Sequence, residues 1–461
     1  MRTVWTTILV AALVGVSGAR VEAATRFVDG ACPSSGKGRE STCGANGPFR
    51  TIQEALRKMR RGDTIQVAAG VYLGPFDLNS RRCTKRARCT LRGAGRFETT
   101  LRGMQPETDW QQTSAGVYMR TMQAAADKGH GSENYPTRDD FDPGNVYQAG
   151  AWIADGRADH LPLGDAGDGI ATPGDGRWSY DPATHRISAN PYRSAGPETL
   201  LVPFVFRLVD VRSARGNWTF EDLGLEGARA YVFDHHGPNK GKLKNLVFRN
   251  LSGGYVPRFM WLNPVPGIVI DGLRLVWMGR GTNAVVPFAQ RSAYGIRIFQ
   301  ADGAEIRNVE ARHLGGGRGF CAGACMPPWD DNTFSATPYS GHFVDIKQTV
   351  GFTYEGGVLD DGPVQGAIQL DVSHGGTLTG VRFTRNVTAF ALKTQTPTRS
   401  LRTTYDIVAQ GFTFDANMTD LEIDTPPTPR SQTLAIEGRR DDGLPLVTKP
   451  DPLPAGIVLL P

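Results

Sequence analysis

Beyond its first two dozen residues the chain has no run long and apolar enough to cross a bilayer, so an integral membrane protein built on helices is not expected. It also lacks a strong charge of either sign. Lys and Arg number 51 against 46 Asp and Glu, and a net charge of +5 is too mild for a nucleic-acid binder, although an anionic polymer stays a reasonable partner. Low complexity is absent too: with 21% charged residues this is a globular chain, not a disordered or fibrous one. Cysteine is scarce. The 6 cysteines form three sequence-close pairs, Cys32/Cys43, Cys83/Cys89 and Cys321/Cys325, which suits local disulfides in an oxidising compartment while leaving the connectivity open. Cys321 and Cys325 with His313 or His342 would make a zinc site, but no second matched pair completes it.

What is present points to turns and short strands. Glycine (56) and proline (30) are plentiful. The opening MRTVWTTILVAALVGVSGARVEA has an early arginine, an apolar run from Ile8 to Val16 and small residues before Ala23, so 1–23 reads as a secretory signal peptide and the mature protein as secreted. Asn217, Asn250, Asn386 and Asn417 each head an Asn-x-Ser/Thr sequon, which matters only where the source glycosylates. The basic run RRCTKRARC (81–89) reads first as a solvated loop and second as a contact for an anionic polymer.

From about residue 205 the chain repeats a phrase of two alternating strands joined by a glycine-containing turn, as in YGIRIFQADGAEIRNVEA (294–311), HFVDIKQTVGFTYEGGVL (342–359) and AIQLDVSHGGTLTGVRF (367–383). Leu223, Leu246, Leu273, Val309, Val358, Val381 and Phe412 are equivalent in it. No amphipathic helix lies between the strands, which excludes a horseshoe of strand and helix. Coils of roughly two dozen residues made of short strands predict a parallel β-helix, with those aliphatic positions stacked as buried columns.

The N-terminal region agrees. Ile52, Ala55, Leu56 and Met59 make one apolar stripe, which predicts a helix around Thr51 to Arg60 able to cover the open end of a solenoid. The whole segment RFVDG…GPFRTIQEALRKMRRGDTIQVAAGVYLG (26–74) resembles the entry of the pectin-lyase-like right-handed parallel β-helix enzymes, a superfamily of polysaccharide lyases and β-helix glycoside hydrolases. Residues 104–200 do not repeat. Their GVY, VYQAGAWIADGR and GRWSYDPATHRISANP resemble the small inserted β module of several carbohydrate-active β-helix families. The expected organisation is all-β: signal peptide 1–23, cap and first coils 24–103, inserted module 104–200, solenoid core 201–422, and a Pro-rich segment 423–461 lying along the solenoid or loosely attached.

Strand side chains alternate, so the repeat also says which residues face outward. Aligning Val211, Phe233, Leu262, Ile298, Ile346, Leu370 and Leu392 as inward places Asp210, Val232, Trp261, Arg297, Asp345, Gln369 and Ala391 in one outward row. Arg212, Asp234, Asn263, Phe299, Lys347, Asp371 and Lys393 fall in the next. Such a strip is either an ordinary polar face or a polysaccharide groove, with Trp261 and Phe299 stacking on sugars and Arg212, Asn263, Gln369 and Lys393 binding hydroxyls or carboxylates.

Three readings of its chemistry follow. In a lyase, Lys347 or Arg297 neutralises a uronate carboxylate or acts as base, while Asp345 and Asp371 orient the lysine or hold a calcium ion. The resemblance implies that machinery: basic residues and often calcium-binding aspartates on such a face. In a hydrolase, Asp345 and Asp371 flank the scissile bond. LDDGPVQGAIQLD (359–371) resembles a β-helix hydrolase element interrupted here by PVQ, which adds Asp360 and Asp361, and His342 or His374 could shuttle protons. The third is a non-catalytic carbohydrate-binding protein on the same scaffold. The lyase is the leading expectation, as a monomer acting on a polysaccharide.

Overall fold

The computed structural model describes residues 23–78, 82–126, 141–154, 157–166, 168–212, 214–235, 243–278, 293–314, 341–362, 366–393, 405–423, 434–449 and 457–460. Two parallel sheets run through them. The larger takes its strands in chain order, among them Thr64–Val67, Cys89–Arg92, Trp218–Glu221, Val247–Val256, Val269–Met278, Glu305–Leu314, Thr353–Asp360 and Tyr405–Asp415. The smaller does the same with Arg207–Asp210, Tyr231–His235, Arg258–Leu262, Ala293–Phe299, Gly341–Lys347, Ile368–Asp371, Thr388–Lys393 and Thr419–Ile423. Each pass of the chain adds one strand to each sheet, which is a parallel β-helix.

The long strands of the larger sheet bend where the backbone turns left-handed, at Asn250 (φ 50°), Gly272 (φ 74°), Asn308 (φ 55°) and Gly356 (φ 65°). Asparagine and glycine tolerate that region best, and stacking them coil on coil makes a continuous corner. Inside, Val209, Phe233, Met260, Ile296, Val344 and Ile368 form a column without solvent exposure. Burying a side chain of this size is worth about 1.5–3 kcal/mol.

Asparagines also hold other corners. Asn386 donates to Leu359 O (2.9 Å) and to Asn417 Oδ1 (3.0 Å), Asn417 donates to Phe383 O (3.2 Å), and Asn217 accepts from Asn245 (2.7 Å). Three of the four sequon asparagines, Asn217, Asn386 and Asn417, are therefore buried ladder residues rather than exposed acceptors.

The cap is a helix at Ile52–Lys58, closed by reciprocal bonds between Thr51 and Glu54, with Ile52, Ala55 and Leu56 buried. Cys32–Cys43 and Cys83–Cys89 are disulfides, and Cys321 and Cys325 lie outside the described residues. Between Met104 and Pro203 the chain leaves the solenoid for two sheets paired mostly antiparallel, with a core around Trp178, Tyr180 and Ile187. This module packs on Tyr255, Val276 and Trp277 of the solenoid.

Three expectations change. Val358 is half-buried and pairs with Glu310, so Gly357 and not Val358 lies beside Val309 in the stack. The Pro-rich segment does not simply lie along the solenoid: Leu434–Arg440 and Ile457–Leu460 extend the larger sheet as further parallel strands. The alignment of the Tyr231–His235 strand shifts by two residues, because Val209 pairs with Phe233 and not with Tyr231. The turn before that strand carries extra residues, and only backbone pairing fixes how they are accommodated.

Candidate functional site

The smaller sheet sets three outward rows. The first is Asp210, Asp234, Trp261, Arg297, Asp345, Gln369 and Ala391. It contains Asp234 where the sequence alignment put Val232, a consequence of the two-residue shift. The second runs Phe299, Lys347, Asp371, Lys393. A third, Arg207, Tyr231, Arg258, Tyr294, His342, lies beyond a bend at which consecutive residues such as Phe343 and Val344 both enter the core.

The centre of the strip is an ionic cluster, and it is buried. Lys347 Nζ donates to Asp371 Oδ2 (2.9 Å) and stands 3.8 Å from Asp345 Oδ2. Arg297 Nε lies 3.1 Å from the same Asp345 oxygen, out of line for a good hydrogen bond, and Gln369 Nε2 donates to Asp345 Oδ1 (3.2 Å). Asp345 is fully buried, with Asp371, Gln369 and Lys347 nearly so, which differs from a solvated strand face. Around this floor the rim is half-buried: Arg212, Trp261, Asn263, Arg297, Phe299 and Lys393 all retain some exposure. Of these, Arg212 is held by Asp210 through a 2.7 Å contact.

Aromatic rings frame the cations. The Arg297 guanidinium lies 4.2 Å from the Tyr294 ring centre, 4.8 Å from Trp261 and 5.2 Å from Phe299, while Lys347 Nζ lies 5.8 Å from Phe299. Cations over ring faces are attracted by the ring quadrupole, so the rings keep Arg297 on the rim without neutralising it.

His342 precedes Asp345 by three residues on the same strand and stacks beside Tyr294, ring centres 5.9 Å apart. Its Nδ1 is 3.1 Å from Gly366 O, and since a carbonyl can only accept, Nδ1 carries the proton and Nε2 the lone pair. Burial pushes the imidazole down to about 4; Asp345 opposes that shift, and Lys347 and Arg297 add to it. Below its ordinary range of about 6.5 the unfolded chain takes up a proton that the folded one refuses. Stability from this group is therefore present above pH 6.5 and lost as pH falls toward 4, by an amount on the order of 3 kcal/mol. His342→Gln should flatten the pH dependence of chemical denaturation midpoints in that window, and an unchanged slope would show that burial does not act on this histidine.

The remaining candidates have other partners. Asp360 is gripped by Arg385 through Nε (2.8 Å) and Nη2, and Asp361 Oδ2 is 2.9 Å from His313 Nδ1. Both belong to the end of the larger sheet rather than to the three rows. Asp345 and Asp371 do not fit a calcium ion as placed, because the Lys347 ammonium occupies the space between them. Among the described residues, the converging set of metal-ligating side chains is Asp29, Cys32 and Cys43, and there both cysteines are in a disulfide.

Apart from His342, the third row was not expected from the sequence. Arg207 and Asp234 form an ion pair at 2.5 Å with both side chains fully buried, and Arg258 donates to Tyr231 OH (2.6 Å). Arg258 also lies 5.4 Å from Trp261 and 5.5 Å from Tyr294, so it continues the cation–aromatic frame toward earlier coils. A signal existed: the smaller-sheet strands open RLVD, YVFDH, RFMWL and AYGIRIF, with Arg or Tyr near the start each time.

No protein-family model matches the sequence, and no curated protein does. Among solved structures the chain is similar to one described as the complex of XylC with xylose, at 11% identity over 90% of this chain and 69% of that one, TM-score 0.47. It is also similar to an alginate lyase from Paenibacillus sp. (12% identity, 88% and 95% covered, TM-score 0.28). A third is the A-module of the mannuronan C-5 epimerase AlgE6 from Azotobacter vinelandii (12% identity, 89% and 93% covered, TM-score 0.34). At such identities the likeness extends no further than the fold, which the strand pairing establishes by itself.

Proposed function

We propose that the chain is a carbohydrate-active enzyme that cleaves a uronate-containing, anionic polysaccharide by β-elimination. The observation that carries this reading is the pair Arg297 and Lys347 on adjacent coils, framed by Trp261, Tyr294 and Phe299 and backed by Asp345 and Asp371. The reaction removes the proton next to a uronate carboxylate. Its electron pair becomes a carbon–carbon double bond, the glycosidic C–O bond breaks, and the leaving oxygen takes a proton from solvent. Charge builds on the carboxylate, where Arg297 and Lys347 can answer it. Lys347 already donates to Asp371, so in this reading it supplies charge rather than acting as base. His342 Nε2, its lone pair set by the bond from Nδ1, accepts the proton in this reading once the substrate carboxylate offsets the burial and the cationic neighbours that keep the imidazole neutral in the free protein.

A hydrolase reading needs one carboxyl group of a pair to be the acid, set apart from cations. Asp345 and Asp371 both border Lys347, which favours the lyase. A secreted protein is in keeping with the two disulfides. Among the described residues no helix is long and apolar enough to cross a membrane. The decisive experiment incubates the purified protein with a panel of uronate and neutral polysaccharides and reads ultraviolet absorbance and reducing ends together. Unsaturated products from a uronate polymer, undiminished by a chelator, are expected. Reducing ends without absorbance would replace the lyase by the hydrolase, binding without turnover would replace both, and loss of rate on chelation would restore calcium to the mechanism.

A further inference from the structure

At one corner of the solenoid the turns that precede three of four consecutive strands of the larger sheet are basic, the exception being the turn before Trp218–Glu221. Arg60 and Arg61 precede Thr64–Val67, Lys85 and Arg86 precede Cys89–Arg92, and Lys244 precedes Val247–Val256. These strands stack in parallel register, Thr64 beside Thr90, Cys89 beside Trp218 and Thr219 beside Val247. The turns therefore stack too. A Cβ on Gly62 would lie 3.5 Å from that of Ala87, so the first two basic turns touch.

All five cations are exposed, and none has a carboxylate partner among the described residues. Two acids on these coils are already taken. Asp63 is fully buried and accepts from Arg26 and from the backbone N–H of Ala24 and Arg60, while Glu221 is shared by Arg92 and Arg249. Like charges this close repel, and a free loop would spread them apart. Here the second turn is stapled by the Cys83–Cys89 disulfide and pinned by Arg88, whose Nη1 donates to Asn245 O (2.7 Å) on a later coil. The backbone of the second basic turn is thereby fixed beside the first.

We propose that this corner is a binding surface for an acidic polysaccharide, separate from the ionic cluster on the smaller sheet. Coils repeat at about 4.8 Å, which offers a row of cations to a polymer bearing a carboxylate on each sugar, and each contact releases condensed counterions. The surface would keep the protein on a polyanion whether or not the smaller sheet catalyses its cleavage.

The test compares three proteins on immobilised polygalacturonate and on a neutral glucan over a salt gradient: wild type, the variant Arg60→Glu/Arg61→Glu/Lys85→Glu/Arg86→Glu, and a control reversing four dispersed exposed arginines, Arg39, Arg186, Arg193 and Arg439. Wild type and control should be retained on the acidic matrix and elute late, the corner variant should elute at least twofold earlier in salt, and none should bind the glucan. Equal elution of wild type and corner variant, or equal loss in the control, would overturn the proposal. If the fourfold variant fails to fold, Lys85→Gln/Arg86→Gln, confined to one exposed turn, is read in the same way. Cleavage of short oligosaccharides by the folded variant should match wild type, which separates this surface from the catalytic reading.

Discussion

Arg297→Gln is expected to lower turnover on a uronate polymer by about 10²–10³-fold, the usual loss when one preorganised donor to a developing charge is removed. Its guanidinium is held on the rim by Tyr294, Trp261 and Phe299, with Asp345 behind it. Glutamine keeps a donor but no charge. Because Asp345 retains Gln369 and Lys347 as neighbours, the melting temperature should fall by only a few degrees. The informative measurement is kcat against KM on the same polymer. A fall in kcat with the fold intact assigns Arg297 to the transition state, a rise in KM alone assigns it to uniform substrate binding, and wild-type kinetics would remove it from the site.

Lys347→Met carries the second large effect, and it is chiefly on stability. Lys347 is nearly buried, and its ammonium is the bonded partner of Asp371 Oδ2, while Asp371 Oδ1 has no hydrogen-bond partner among the described residues. Removing the cation strands a buried carboxylate, and breaking such a pair costs about 3–5 kcal/mol. The double variant Lys347→Met/Asp371→Leu should recover much of that loss, since replacing both ions by apolar groups of similar volume is often neutral. Denaturant unfolding of the two single variants and the double gives the coupling directly. Additive losses would mean that the contact contributes nothing as a pair. Activity should be absent from all three.

Much of the fold is legible in the sequence. The recurrence of Leu223, Leu246, Leu273 and Val309 predicts stacked coils, and Leu223, Leu246, Leu273 and Val309 are all in the apolar core. The register of the site was legible as well, because a single repeat without insertion separates Asp345 from Gln369 and Lys347 from Asp371, 24 residues in each case. Where turns vary in length the reading failed. Asp234 belongs beside Asp210 and Trp261, and no count of residues through a turn of unknown shape could place it.

Alternation along HFVDIKQ determines that Asp345 and Lys347 leave the core on the same side, and repetition determines which residues lie beside them. Both are local consequences of strand geometry, which the order of amino acids encodes directly. Burial of that pair, the neutral state of His342, the insertion of Lys347 between two carboxylates and the gathering of three basic turns at one corner were decided only by the tertiary structure. Each depends on how far apart groups from distant coils come to rest and on how much water remains between them. Electrostatic energy varies with distance and local dielectric, and neither quantity is written in a single stretch of chain.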